Sequence, residues 1–241
     1  MRRRARILQI VCDLAKKPVS DLRLLDLGCL EGHYSFEFAA KGARVVGIEG
    51  RKCNLDNAEA LGAKLKLSVE FVQDDVRNLS AVKYGTFDIV LCLGILYHLD
   101  DIDIIPFLRN VYDVTRDFAV VDTLIALKAY RSLGDYWGWD YIEYSQPPSK
   151  EEQEKAVWAS IGNTKSFWLT KPSLVNALAT VGFSSVMEVH FPTMNDMPSD
   201  RVTVVALKGQ RTQPIIEHVG ADLLGELLPE VPTVPPVQPV P

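Results

Sequence analysis

Short apolar runs alternate with stretches of helical periodicity along most of the chain. Runs rich in Val, Ile and Leu at 23–27, 44–48, 68–72, 88–93 and 118–123 predict strands. Between them the apolar spacing predicts helices at 34–41, 52–61 and 104–114. Strands separated by helices imply right-handed βαβ units and a parallel sheet. Over 171–181 the helical evidence is local as well: Thr170 as N-cap, Pro172 in the first turn, Leu174, Ala177, Leu178 and Val181 on one face, and Gly182 just past the end. Two further strands are expected near 185–190 and 202–208. Their connection holds Pro192, Asn195, Asp196, Pro198 and Ser199 and no helical pattern, so they pair antiparallel. The fold class expected is α/β: a doubly wound, seven-stranded, mostly parallel sheet with one antiparallel edge strand.

The flanks differ from this rhythm. Ile7, Ile10, Val11 and Leu14 lie at helical spacing, which predicts an amphipathic helix within 1–21. Arg2, Arg3 and Arg4 imitate the start of a leader peptide, but Gln9, Asp13, Lys16 and Lys17 interrupt any apolar run after them. Residues 22–208 form the main domain, and 124–168 break its alternation as an insert. Beyond 209 a short helix is expected at 216–228, and 229–241 alternates Val and Pro. Six of the 14 prolines fall in those last thirteen residues, which favours a disordered tail over a polyproline ligand.

Composition narrows the class. The 241 residues are 47% apolar and 24% charged, the balance of a globular protein and not of a fibrous or disordered one. A net charge of −5 disfavours a nucleic-acid partner. No apolar run is long enough for a membrane helix. The cysteines (Cys12, Cys29, Cys53 and Cys92) are scattered, without a C-x-x-C pair or a histidine cluster at ligand spacing. Reduced thiols in a cytoplasmic protein without a metal are the economical expectation.

Candidate chemistry starts where the first strand runs into Leu25-Asp26-Leu27-Gly28-Cys29-Leu30-Glu31-Gly32 ahead of a helix. Glycines at such a turn let a ligand approach the backbone, and the helix N-terminus attracts an anionic group. Glu49 ends the second strand, where a carboxylate can accept from two ribose hydroxyls. Asp75 follows the third strand, where a carboxylate can take an adenine amino proton, with Asp74 an equal candidate. Together the three loops favour an adenosine-containing ligand. Leu30 occupies the position where G-x-G-x-x-G would have its second glycine, which disfavours a dinucleotide.

These residues, with Phe87-Asp88-Ile89-Val90-Leu91-Cys92, resemble the successive motifs of class I S-adenosylmethionine-dependent methyltransferases over about 22–208. The resemblance implies S-adenosyl-L-methionine as cofactor and the seven-stranded fold of that family. It further implies that Asp26, Gly28 and Gly32 shape the methionine end, Glu49 holds the ribose, Asp75 with Val76 holds adenine, and Leu93 faces the methionyl group. Leu30 departs from the family, most members of which have glycine there. A closer similarity, in Leu93-Gly94-Ile95-Leu96-Tyr97-His98 and Ser166-Phe167-Trp168-Leu169-Thr170-Lys171-Pro172-Ser173-Leu174, is to the branch that carboxymethylates tRNA wobble uridine. In that branch residues matching Tyr97 and Arg201 approach an extra carboxylate on the cofactor.

Methyl transfer to a hydroxyl calls for a base, and His98 with its neighbour Tyr97 lies beside the fourth-strand loop. Packing beneath the cofactor is the competing reading of His98. All four tryptophans fall within 130–168, and Tyr136, Trp137, Trp139 and Tyr141 are expected to bind substrate, or to form the insert's own small core. Asp135, Asp140 and Glu143 serve either to bind a cationic group or to solubilise the insert. The expectation is methyl transfer to O or N of a small molecule. tRNA is the runner-up substrate, and a non-catalytic cofactor-binding scaffold is the rival from another class.

Overall fold

The computed structural model describes residues 2–190 and 198–210. It divides into two compact units, Met1–Gln210 and Arg211–Pro241. The second unit, with the helix expected at 216–228 and the Val/Pro segment, lies outside the described residues, as does the 191–197 part of the last connection.

In the first unit, α1 (Arg2–Leu14) precedes β1 (Arg23–Leu27), α2 (His33–Ala39), β2 (Arg44–Glu49), α3 (Lys52–Leu65) and β3 (Glu70–Gln73). There follow a short α4 (Ala81–Tyr84), β4 (Phe87–Leu93), α5 (Asp101–Val114) and β5 (Thr115–Leu124). The insert contributes β6 (Arg131–Leu133), β7 (Tyr136–Ile142), α6 (Lys150–Lys155) and β8 (Lys165–Leu169). The chain then forms α7 (Lys171–Val181), β9 (Ser185–Glu188) and β10 (Arg201–Leu207).

The main sheet has seven strands in the order β3-β2-β1-β4-β5-β10-β9. Only β10 is reversed: it pairs antiparallel with β5 on one side and with the edge strand β9 on the other. The strands expected from the sequence are all present, with the third displaced to Glu70–Gln73. Because the chain steps outward from β1 to β3 and returns to β4, strand order reverses between β1 and β4. A crevice opens there at the carboxyl ends of the strands, where open α/β sheets bind ligands.

Continuous apolar runs follow from burial on both faces of the sheet. On one face Leu25, Leu27, Val90 and Val121 pack with Phe107 and Val111 of α5 and Leu174 and Leu178 of α7. On the other, Leu24, Leu91 and Val120 pack with Ile7, Ile10 and Val11 of α1 and Phe38 of α2. The first helix is thus a layer of the domain. The caps of α7 obey local rules: Thr170 Oγ1 accepts from the Ser173 N–H, and Gly182 closes the helix.

The insert is a second, antiparallel sheet, β6-β7-β8. Sequence periodicity registered it only as a break, because aromatic residues occupy both faces of β7. Phe167 of β8 enters the main core, and its N–H donates to Leu99 O at 2.9 Å. Gly138 makes the close crossing of β7 and β8 possible. A Cβ there would stand 2.2 Å from the Trp168 carbonyl oxygen and 2.6 Å from Phe167 Cζ. Gly138→Ala is therefore expected to lower stability by about 1–3 kcal/mol, the usual range for overpacking. A urea midpoint equal to that of the unaltered chain would contradict this close crossing.

Candidate functional site

A cavity of about 400 Å³ opens at the carboxyl ends of β1, β2 and β4, with walls from the loop after β1, the turn after β3, the loop after β4, α1 and the insert. The loop after β1 turns through three left-handed residues, Gly28 (φ 61°), Leu30 (φ 49°) and Gly32 (φ 75°). For a branched side chain such as Leu30 this region costs about 1 kcal/mol. Leu30 holds it while its N–H donates to Glu49 Oε2 at 3.0 Å. At Gly28 a Cβ would fall 2.0 Å from Ile95 Cδ1, so this glycine brings the loops after β1 and β4 together. Gly28 and Leu30 line the cavity. Gly32 stands behind them as the N-cap of α2.

Carboxylates at three strand ends are buried, and each has specific partners. Glu49, at the end of β2, also accepts from the Arg51 N–H at 2.9 Å, so both its oxygens are oriented by backbone. Asp26 of β1 accepts from Ser35 Oγ at 2.7 Å. Burial pushes its carboxyl up to about 7; the Ser35 hydrogen bonds oppose this, and the nearby Glu49 charge adds to it. Asp122 of β5 accepts from Arg201 Nε and from Arg3 Nη2, each at 2.6 Å, and from Thr203 Oγ1 at 2.8 Å.

The turn after β3 gives different partners to the two aspartates that the sequence left equal. Asp74 accepts from the Asp75 N–H, Asn78 Nδ2, Lys83 Nζ and Tyr84 OH. Burial alone would raise its carboxyl, but these hydrogen bonds hold it down at about 2. Asp74 therefore fastens the turn. Asp75 caps it through the Arg77 N–H and is gripped by Arg77 Nε at 3.0 Å and Nη2 at 2.5 Å. Asp74, Asp75 and Val76 all line the cavity.

At the opposite end stand Leu93, Tyr97, His98 and Arg201. The Tyr97 and His98 rings lie 4.2 Å apart, and the Arg201 guanidinium carbon is 5.8 Å from the centre of the Tyr97 ring. His98 Nδ1 is 2.9 Å from Glu143 Oε1. Glu143, whose side chain is 3% exposed, also accepts from Ser166 Oγ at 3.0 Å and from the Ser160 N–H at 3.2 Å. Among the described residues nothing hydrogen-bonds His98 Nε2. Of the three insert acids considered from the sequence, Glu143 is turned inward, while Asp140 pairs with Arg131 at 2.7 Å.

Arg51 joins the insert to this site. Its Nε donates to Gln153 O at 2.6 Å, and its Nη2 to Ala156 O, Ala159 O and Ser160 O at 3.0, 2.8 and 3.3 Å. Trp158, Ser160 and Ile161 are thereby set over the cavity. Of the aromatic residues expected to bind substrate, Trp139 lines a second cavity and Tyr141 stacks on Trp168 with 4.8 Å between centroids. Tyr136 packs on the main core and Trp137 is half exposed; neither lines either of these two cavities. Arg3 and Arg51 were not singled out as site residues, since their partners are remote in sequence and no periodicity marks them; Glu143 was considered only as a cation-binding or solubilising acid.

Residues 24–117 match the family model of a methyltransferase domain. A bifunctional O-antigen chain terminator methyltransferase/kinase of Escherichia coli is 29% identical over 145 residues, 58% of this chain and 20% of the relative. A ubiquinone biosynthesis O-methyltransferase of Pelagibacter ubique is 36% identical over 87 residues, 36% of this chain and 35% of the relative. The chain thus spans a fifth of the first relative's length and about a third of the second's. Among solved structures, the N-terminal domain of EvdMO1 with SAH bound superposes with a TM-score of 0.67 at 24% identity, covering 86% of this chain and 81% of that one. The magnesium protoporphyrin IX methyltransferase of Synechocystis PCC 6803 with bound SAM gives 0.56 at 15% identity, covering 86% and 80%. These two neighbours share the fold. The stretch that matches the methyltransferase-domain model runs from β1 to the start of β5 and so includes the strands whose carboxyl ends bound the cavity.

The Asp26 carboxyl has a consequence for stability. Its folded value of about 7 lies above the ordinary 3.8, so the folded chain keeps a proton that the unfolded chain releases first. Its contribution is complete below about pH 4 and is lost as pH rises through about 7, with a slope of at most about 1.4 kcal/mol per pH unit. In Asp26→Asn that slope disappears from urea midpoints measured across this window. Parallel pH profiles for the two proteins would refute the protonated carboxyl.

Proposed function

We propose that this domain transfers a methyl group from S-adenosyl-L-methionine to a hydroxyl oxygen of a small molecule, or alternatively to a nitrogen, with His98 as general base. The observation that carries the reading is the His98–Glu143 pair on the wall of a cavity that also presents Glu49. The residues suit the cofactor. Glu49 has both oxygens oriented by backbone N–H groups and its remaining lone pairs available for ribose hydroxyls. Asp75 and Val76 would flank adenine, while Asp26, Gly28, Gly32 and Leu93 would shape the methionyl end. When bound, S-adenosyl-L-methionine supplies a methyl group activated on a sulfonium.

The chain's own residues provide positioning and proton transfer. Glu143 accepts the Nδ1 proton of His98, which fixes the tautomer with Nε2 free to take a proton from an acceptor hydroxyl. Its charge also stabilises the imidazolium that results. Trp158 and Ile161 contribute to the cavity wall, the Trp158 ring remaining largely exposed. The names of the ubiquinone-pathway relatives, O-methyltransferases, agree with an oxygen acceptor.

The tRNA reading rests on Tyr97 and Arg201, which do meet on the cavity wall. It ranks second because Arg201 and Arg3 share the Asp122 charge, and the net charge of −5 provides no general attraction for RNA. Four free thiols suit a cytoplasmic setting, and no described helix is long and apolar enough to cross a membrane.

Calorimetry with S-adenosylhomocysteine tests the donor half: Glu49→Ala is expected to weaken binding at least about tenfold, the loss of one or more good hydrogen bonds to a charged acceptor. Labelled methyl transfer into a metabolite extract tests the chemistry. His98→Ala is expected to reduce transfer by a factor of about 10²–10⁴ and Glu143→Gln by less, with S-adenosylhomocysteine affinity kept. Unchanged turnover in His98→Ala would remove the base from the mechanism.

A further inference from the structure

Next to His98 the donor cavity has an end that proton transfer does not use. Arg3 of α1, Arg201 of β10, and Gly94 and Tyr97 of the loop after β4 meet there on the cavity wall. A Cβ at Gly94 would stand 3.6 Å from Arg201 Nη2, 3.7 Å from the Tyr97 hydroxyl oxygen and 3.9 Å from Arg3 Nη2. The φ of Gly94 is 92°, a region that glycine enters freely. The volume that any other side chain would fill is kept open, and three donors from remote parts of the chain surround it.

Charge defines what such a cradle takes. Arg201 Nε and Arg3 Nη2 both donate to the same oxygen of Asp122, each at 2.6 Å. Two guanidinium groups therefore face one carboxylate, and a positive charge is left over. The Asp122 and Arg201 side chains are only 2% and 15% exposed, so solvent screens little of that excess. Arg3 Nε is buried and has no hydrogen-bond partner among the described residues. Elsewhere the cavity wall carries Glu49, Asp74 and Asp75, so an anion is drawn to the Gly94 end and repelled from the acidic one. A carboxylate presents two coplanar acceptor oxygens, which suit guanidinium forks and a phenol. The amino acid of S-adenosyl-L-methionine is a zwitterion without net charge, which leaves the excess to the acceptor.

We infer that the acceptor is a hydroxy acid, its carboxylate seated between Arg3, Arg201 and Tyr97 and its hydroxyl facing His98. This rests on the methyl-transfer reading above and adds the class of acceptor. The Tyr97 and His98 rings lie 4.2 Å apart, so one small molecule reaches both the cradle and the base. In the step, the hydroxyl oxygen bonds to the methyl carbon as the carbon–sulfur bond breaks. The sulfur leaves as a neutral thioether, and the hydroxyl proton passes to His98 Nε2. The carboxylate is unchanged throughout, so the product is a methyl ether that is still an acid.

The test uses the full chain with S-adenosylhomocysteine bound. Two hydroxy acids, 3-hydroxybenzoate and glucuronate, are titrated beside their neutral counterparts, 3-hydroxybenzyl alcohol and glucose, and followed by ligand-observed NMR. At least one acid should bind about tenfold or more tightly than its counterpart, the worth of a charged hydrogen bond. Arg3→Leu should remove that preference, and Arg3→Lys, which keeps the charge, should restore part of it. Tyr97→Phe, which deletes only a hydroxyl, should reduce the preference by a smaller factor. S-adenosylhomocysteine affinity should stay within twofold in all three variants. Equal binding of acids and counterparts, a preference that survives Arg3→Leu, or failure of both acids to bind a chain that binds S-adenosylhomocysteine would overturn the inference. A loss of S-adenosylhomocysteine affinity in Arg3→Leu, without loss for 5′-methylthioadenosine, which has no carboxylate, would assign the cradle to the donor and overturn it too. Failure of the parent chain to bind S-adenosylhomocysteine would instead overturn the donor reading, and the acceptor role with it.

Discussion

Burying carboxylates at the ligand edge of a sheet is the constraint on which the rest of this structure depends. An uncompensated buried charge is among the most destabilising features a fold can contain, so each of the three must be matched. Asp26 is matched by a hydroxyl and by keeping its proton, Glu49 by two backbone N–H groups, and Asp122 by two guanidinium groups and a hydroxyl. Those demands shape the surroundings. The left-handed turn at Leu30 exists where its N–H meets Glu49, and α1 extends across the face of the sheet so that Arg3 reaches Asp122.

The same demand recurs in the insert. Glu143 is buried away from the three strand ends, yet it is satisfied by Ser160 and Ser166 and by the imidazole of His98. A buried acid beside a histidine on a cavity wall orients the imidazole, whereas a solvated acid at the same place would only add surface charge. The domain therefore has two halves of distinct construction: a parallel sheet whose strand ends present carboxylates, and a small antiparallel sheet that presents aromatic rings.

Much of the first half was legible in the sequence because its signals are local. Strands buried on both faces read as apolar runs, Thr170 and Gly182 marked the ends of α7, and Asp26, Gly28, Glu49 and Asp75 followed their strands at fixed offsets. The position of Leu30 was marked as a departure, and the structure gives it the φ of 49° that glycine adopts more readily. The insert was less legible. Aromatic residues on both faces of β7 obscure its period of two, and its partner β8 lies beyond a segment of more than twenty residues. Whether an acid such as Glu143 faces inward or outward depends on which remote donors meet it, and a single sequence carries no local sign of that. Asp74 and Asp75 were indistinguishable for the same reason, since the Lys83 and Tyr84 side chains that bind Asp74 alone carry no local sign of doing so.

Arg51 has a consequence for the order in which the molecule assembles. Its four bonds to carbonyl oxygens close loops of 102 to 109 residues, among the longest-range polar contacts of the site. Loop closure over such a distance loses entropy before it gains contacts, so it follows the formation of nearer ones. By loop length alone the roof over the cavity is the later part to be added, after the nearer pairings of β1 to β5, and a chain lacking it would carry the carboxylates of the strand ends but no enclosed site.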